Sequence, residues 1–147
     1  MGKYWEDFEV GSAYFSEKRR IEEEDILQFA QVSEDLNPLH IDEEYAKQTP
    51  YGTRIAHGML VLSKVTGLHY GLGVFKGTSL GVLEIEWKFK KPVLIGDEIQ
   101  FEAIVEDKIP TSKPDRGILI RSILVRNQKG EVVQRGKFVN MIRKNKK

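Results

Sequence analysis

The chain has 147 residues, a net charge of +1 and no cysteine. That length suits a single domain, residues 1–147, with a core of its own. The balanced charge gives no global case for nucleic acid, and the lack of thiols excludes a disulfide scaffold and a thiolate metal site.

The opening stretch, MGKYWEDFEVG, lacks the apolar core of a signal peptide. The longest apolar stretch, around residues 55 to 65, is interrupted by His57, Ser63 and Lys64. It falls short of the ~20 residues a membrane helix needs, so the expectation is a cytoplasmic protein with no membrane contact. Loose alternation over 13–21 predicts a first strand. Glu22-Glu23-Glu24-Asp25 then leads into Ile26, Leu27, Phe29, Ala30 and Val32, an acidic first turn followed by helical apolar spacing.

Residues 35 to 41, Asp-Leu-Asn-Pro-Leu-His-Ile, predict a loop in which Pro38 pushes Asn37 towards an extended conformation. Asp42 can cap a short helix over 43–48, which Thr49-Pro50-Tyr51-Gly52 breaks. From Ile55 to about Tyr70 the apolar residues fall almost all round a helix, which marks it as buried.

The second half predicts strands. Leu83, Ile85, Trp87 and Phe89 alternate with charged residues, and Ile99 to Val105 alternates in the same way. Ile118 to Val125 is more continuously apolar and predicts a central strand. A tight turn at 127–130 leads to a last strand over 132–141. The basic tail, residues 143–147, is expected to be solvated and mobile. One buried helix and about five strands give an α+β fold, an antiparallel sheet curled around one long central helix.

Chemistry concentrates at Asp35, Asn37, His40 and His57-Gly58. Asp35 and His40 can supply a proton acceptor and a proton donor, and Asn-Pro between them fixes the turn that joins them. Alone, Asp35 reads as an ordinary turn residue. His57 reads as a structural histidine bonded at the helix start, and His69 as structural or exposed. Gly58 opens the buried helix, where free backbone N–H groups favour developing negative charge. No histidine pair has helical His-x-x-x-His spacing, so no metal is expected. Trp87 and Phe89 read as core or dimer packing.

Asp35-x-Asn37-Pro38-x-His40-x-Asp42, with Ala46, Thr49 and Ile55-Ala56-His57-Gly58-Met59-Leu60, closely resembles the signature of the MaoC-like, (R)-specific enoyl-CoA hydratases. Phe29-Ala30 before it and Phe89-x-x-Pro92-Val93-x-x-Gly96-Asp97 after it resemble the same family, the latter shared more widely among hot-dog-fold proteins. The resemblance implies a hot-dog fold that pairs into a homodimer or a dimer of dimers. It implies reversible syn addition of water to a trans-2-enoyl-CoA, or the same chemistry on an acyl-carrier-protein thioester, with no cofactor. It also implies that Asp35 and His40 hold the water and that the N–H of Gly58 helps to bind the thioester oxygen. Asn37 orients the loop or the water, and either Asp35 or His40 can be the base. A pocket-lining serine of some relatives matches Thr66 here, with Ser63 one turn earlier, and His57 also falls near the pocket. A hot-dog acyl-CoA thioesterase and a non-catalytic acyl-CoA-binding module are the alternatives that the fold alone leaves open.

Overall fold

The computed structural model describes residues 1–145. Lys146 and Lys147, part of the tail expected to be mobile, lie outside the described residues. The order of elements is a short 3-10 turn at Trp5–Asp7, then β1 (Ala13–Phe15), β2 (Arg19–Arg20), α1 (Glu23–Ser33), α2 (Pro38–Ile41), α3 (Glu43–Ala46), α4 (Gly58–Gly71), β3 (Ser79–Phe89), β4 (Glu98–Pro110), β5 (Arg116–Arg126) and β6 (Val132–Arg143).

The sheet runs β1-β4-β5-β6-β3, every pair antiparallel, and β2 pairs with β4 off that path. It has six strands rather than about five, because the first predicted strand is split: residues 16–18 leave the ladder between β1 and β2. Ser16 explains the break. Its hydroxyl donates to the Glu17 carbonyl and accepts from the Phe101 N–H, substituting locally for strand pairing.

β5 is central, as its apolar run predicts. Its residues alternate between buried and half-buried, so Gly117, Leu119, Arg121, Ile123 and Val125 face inward. Against that face packs α4. Leu60, Val61, Val65 and Leu68 join Phe101, Ala103, Ile123, Val125 and Phe138 in one core cluster. Val61 and Val65 are fully buried, and each contributes about 1.5–3 kcal/mol by leaving water.

α4 begins at Gly58, three residues later than the apolar run suggests. Ile55 is taken by an antiparallel bridge to Leu94, and the Ala56 N–H donates to the Val93 carbonyl. The chain therefore enters the helix extended, and the first turn opens onto the segment that carries Asp35. Nor is the start of the tail free. The Lys144 N–H donates to the Asp115 carbonyl, and the Lys144 ammonium lies 4.6 Å from the Trp5 ring centre.

Candidate active site

Three short elements carry the site. α1 ends with Glu34 in the left-handed region at φ 63°, which reverses the chain and presents Asp35. Instead of the expected loop, Pro38–Ile41 forms one turn of helix. Asn37 is its cap: the side-chain oxygen accepts from the Leu39 N–H at 3.2 Å, with Pro38 as the first helical residue. Asp42 caps α3 in the same way through the Tyr45 N–H. Asn-Pro thus sets the five-residue spacing by building a capped helical turn. Arg54 braces the segment from the other side, paired with Glu23 on α1 and with Glu43 on α3. The hydrogen bond that Arg54 donates to Glu23 most raises the Arg54 pKa, and the one it donates to Glu43 holds the Glu43 carboxyl below its usual range.

His40 is buried, and its Nδ1–H donates to the Ile55 carbonyl at 2.7 Å. That bond sets the tautomer and leaves Nε2 as the free ring nitrogen. His57 is buried too. Its Nε2–H donates to the Asp35 carbonyl at 3.0 Å, and its ring stacks on that of His40 with centroids 3.8 Å apart. Burial pushes the His57 pKa down, with a smaller contribution from His40 beside it, so the ring stays neutral. A neutral His57 under His40 tolerates a charge on His40 and pins the backbone of Asp35. His57 thus precedes the first residue of α4 and is hydrogen-bonded there to the backbone of Asp35.

The carboxylate of Asp35 is exposed, and its Oδ1 accepts from the Asn37 N–H at 3.3 Å. One ligating atom from each of Asp35, His40 and His57 lies within 4.8 Å of the others. Helical His-x-x-x-His spacing does not reveal this cluster, because the fold brings together residues 17 positions apart (57 − 40). The rings lie nearly parallel, 24° apart. An ion about 2.1 Å from a nitrogen of each would sit well out of both ring planes, so the donor set suits proton transfer better than a metal.

The cluster opens on a cavity of about 300 Å³, lined also by Phe29, Ser33, Gly58 and Met59. Gly58 and Met59 also line a second cavity, of about 400 Å³, bounded by Tyr51, Phe89 and Pro92. The N–H groups of Gly58 and Met59 have no partner among the described residues. A Cβ at Gly58 would come within 2.7 Å of the Phe89 ring. Glycine here therefore keeps the first turn of α4 in contact with Phe89 as well as open to a ligand.

Ser63 and Thr66 do not join this cluster within the chain. Both are exposed and turn back onto their own helix, Ser63 to the Met59 carbonyl and Thr66 to the Ser63 carbonyl. Thr66 lines a different cavity, with His69 and Arg121. The sequence reading also missed Gln134, whose amide donates to the Gly58 carbonyl at 3.2 Å and accepts from the Trp87 ring N–H at 2.7 Å. No local motif marks Gln134, since its partners are far away in the chain.

Residues 9–122 match the family model described as a MaoC-like domain. A 3-hydroxybutyryl-CoA dehydratase of Methylorubrum extorquens is 34% identical over 114 residues, 77% of this chain and 70% of its own length. An (R)-specific enoyl-CoA hydratase of Rhodospirillum rubrum is 38% identical over 111 residues, 75% and 74% of the two chains. The crystal structure of a MaoC-like dehydratase from Rhodospirillum rubrum superposes with a TM-score of 0.88 at 30% identity, covering 98% of this chain and 99% of that one. A double hot-dog protein of Mycobacterium tuberculosis superposes at 0.86 with 15% identity, which bears on the fold alone and agrees with a hot-dog architecture.

Proposed function

The chain belongs to the MaoC-like domain family, and from that premise we propose that it adds water reversibly across the double bond of a trans-2-enoyl thioester to give an (R)-3-hydroxyacyl thioester. The observation that carries this reading is the meeting of Asp35 and His40 beside the open first turn of α4.

The reaction needs a proton taken from water as it attacks the β-carbon, a proton given to the α-carbon, and a place for charge on the thioester oxygen. A carboxylate and an imidazole that share one water cover both proton transfers, each worth ~10²–10⁴-fold. In the hydration direction Asp35 takes the water proton and His40, as imidazolium, gives the proton from Nε2. In dehydration neutral His40 takes the α-proton back at the same Nε2, and Asp35 returns its proton to the leaving hydroxyl. The reverse pairing, with His40 as the base towards water, would use that nitrogen too. The thioester oxygen would lie against the free N–H groups at Gly58, where one such donor contributes ~3 kcal/mol to the transition state. Proton transfers and backbone dipoles suffice, so the scheme draws on no cofactor.

The carrier is CoA or an acyl-carrier protein, and a CoA thioester would place the work in the cytoplasm. No helix among the described residues is long and apolar enough to cross a membrane. The functional unit is a homodimer, alone or paired again. β3 forms an edge of the sheet and exposes Leu80, Val82, Leu83, Ile85 and Phe89, a surface suited to a second copy.

The test is incubation with crotonyl-CoA and longer enoyl-CoAs, following loss of the conjugated double bond, the chirality of the product and the release of free thiol. Formation of the (R)-3-hydroxy product without thiol release is the expected result. Thiol release without hydration would replace this reading with a thioesterase.

A further inference from the structure

Arg121 lies on the inward face of β5, between Leu119 and Ile123, and is 1% exposed. A buried guanidinium ordinarily has a carboxylate partner, because its charge is costly to remove from water. Arg121 has none among the described residues. Nη2 donates to Asn140 Oδ1 at 2.9 Å, while Nε and Nη1 are buried without a partner. The rings of Phe75 and Phe138 lie 4.6 and 5.8 Å from its central carbon. They stabilise the charge through their faces but accept nothing in the guanidinium plane.

A second unpaired group faces the same space. His69 on α4 donates through Nδ1 to the Val65 carbonyl at 2.8 Å, and its Nε2 is buried without a partner. Arg121, His69 and Asn140 line one cavity of about 200 Å³, walled by Phe75, Phe138 and Val82.

We propose that this cavity is a carboxylate-binding subsite, taking a small organic acid or the acid-bearing end of an acyl chain. The unused Arg121 donors fix the charge and type of ligand. They need an acceptor, the local charge is positive, and a carboxylate offers four lone-pair positions to a planar donor set. The aromatic walls suit a methylene body next to that head. The unpaired His69 nitrogen offers an acceptor for a hydroxyl or water beside it. Position separates this subsite from the Asp35–His40 cluster: His69 is eleven residues beyond Gly58 on α4, about 16 Å along the helix axis. The free-acid source stands without the hydratase reading, whereas the acyl-end source rests on it.

Two arms distinguish the sources. In the first, the intact protein is melted in increasing hexanoate, with hexanamide at equal ionic strength as the neutral control. Hexanoate should raise the Tm saturably, by about 3 °C, and hexanamide should not. Arg121→Met and Arg121→Gln should lose the rise; if either fails to fold, the contrast in the unaltered protein still decides. In the second arm, hydration rates are compared for matched enoyl-CoA pairs with and without a terminal carboxylate. A preference for the acid-bearing member that falls at least ~10-fold in Arg121→Met assigns the subsite to the acyl end. A saturable hexanoate effect without that preference assigns it to a free acid. The absence of both the saturable rise and the preference overturns the proposal. If no enoyl-CoA is hydrated at all, the hydratase reading fails, and the melting arm still supports or overturns the subsite by itself.

Discussion

At the residue scale, His57 separates positioning from proton transfer. Its ring supports His40 by stacking, and its Nε2–H holds the Asp35 carbonyl. Neither contact moves a proton to substrate. His57→Phe keeps the stacked ring and removes the hydrogen bond, a net loss of about 0.5–1.5 kcal/mol. The expected result is a fall in hydration of about tenfold with a small drop in Tm. A loss as large as that from removing the Asp35 carboxylate would place His57 among the groups that transfer protons. The Asn37 side-chain oxygen accepts from the Leu39 N–H and so caps the Pro38–Ile41 turn.

At the element scale, the turn between α1 and α2 carries a local cost. Glu34 holds φ 63° at the C-terminus of α1, a conformation that suits glycine and costs other residues about 1 kcal/mol. Glu34→Gly should raise the Tm by a few degrees, measured by calorimetry; a lower Tm would show that the Glu34 side chain has a stabilising contact. Most of the elements were legible because their signals are local. The acidic start of α1, the all-round apolar α4, the alternation in β3 and β4 and the apolar run of β5 each lie within one stretch of chain. The Asp35–His40 pair was legible for the same reason, five residues joined by Asn-Pro. The Pro38–Ile41 turn was missed because proline reads as a breaker, yet at the first helical position its missing N–H costs nothing. Arg121 was passed over within a run read as apolar. Strand parity does place it on the same face as Leu119 and Ile123, but no local pattern says that a buried arginine lacks a partner.

At the scale of the whole molecule, two properties depend on how the sheet and helix close. The exposed apolar edge at β3 predicts a dimer in solution, and sedimentation showing only monomer at micromolar concentration would contradict it. The second property is pH dependence. His69 is enclosed by Phe101 and Phe138, and burial, aided by the nearby Arg121 charge, pushes its pKa down to about 3. In the unfolded chain it titrates near 6.5. Between these values the unfolded state binds the extra proton, so stability rises with pH. The contribution is complete above about pH 6.5 and is lost progressively as the pH falls towards 3. His57, with its pKa also lowered, acts in the same direction. Melts between about pH 8 and pH 4 should therefore show destabilisation starting before the carboxylates titrate, and His69→Leu should flatten it. An unchanged slope in His69→Leu would mean that the acid sensitivity originates elsewhere.

The central claim is that Asp35 and His40 act on one water as a unit. Its most direct test is the steady-state hydration of crotonyl-CoA by Asp35→Asn, His40→Gln and the double variant, with thermal melts alongside. Each single change keeps size and hydrogen-bonding capacity while removing a proton-transfer group, so each should cost on the order of 10²-fold or more. The double variant should be little worse than either single one, because the two residues serve the same step. Variants that melt like the parent and hydrate at the parental rate would contradict the account.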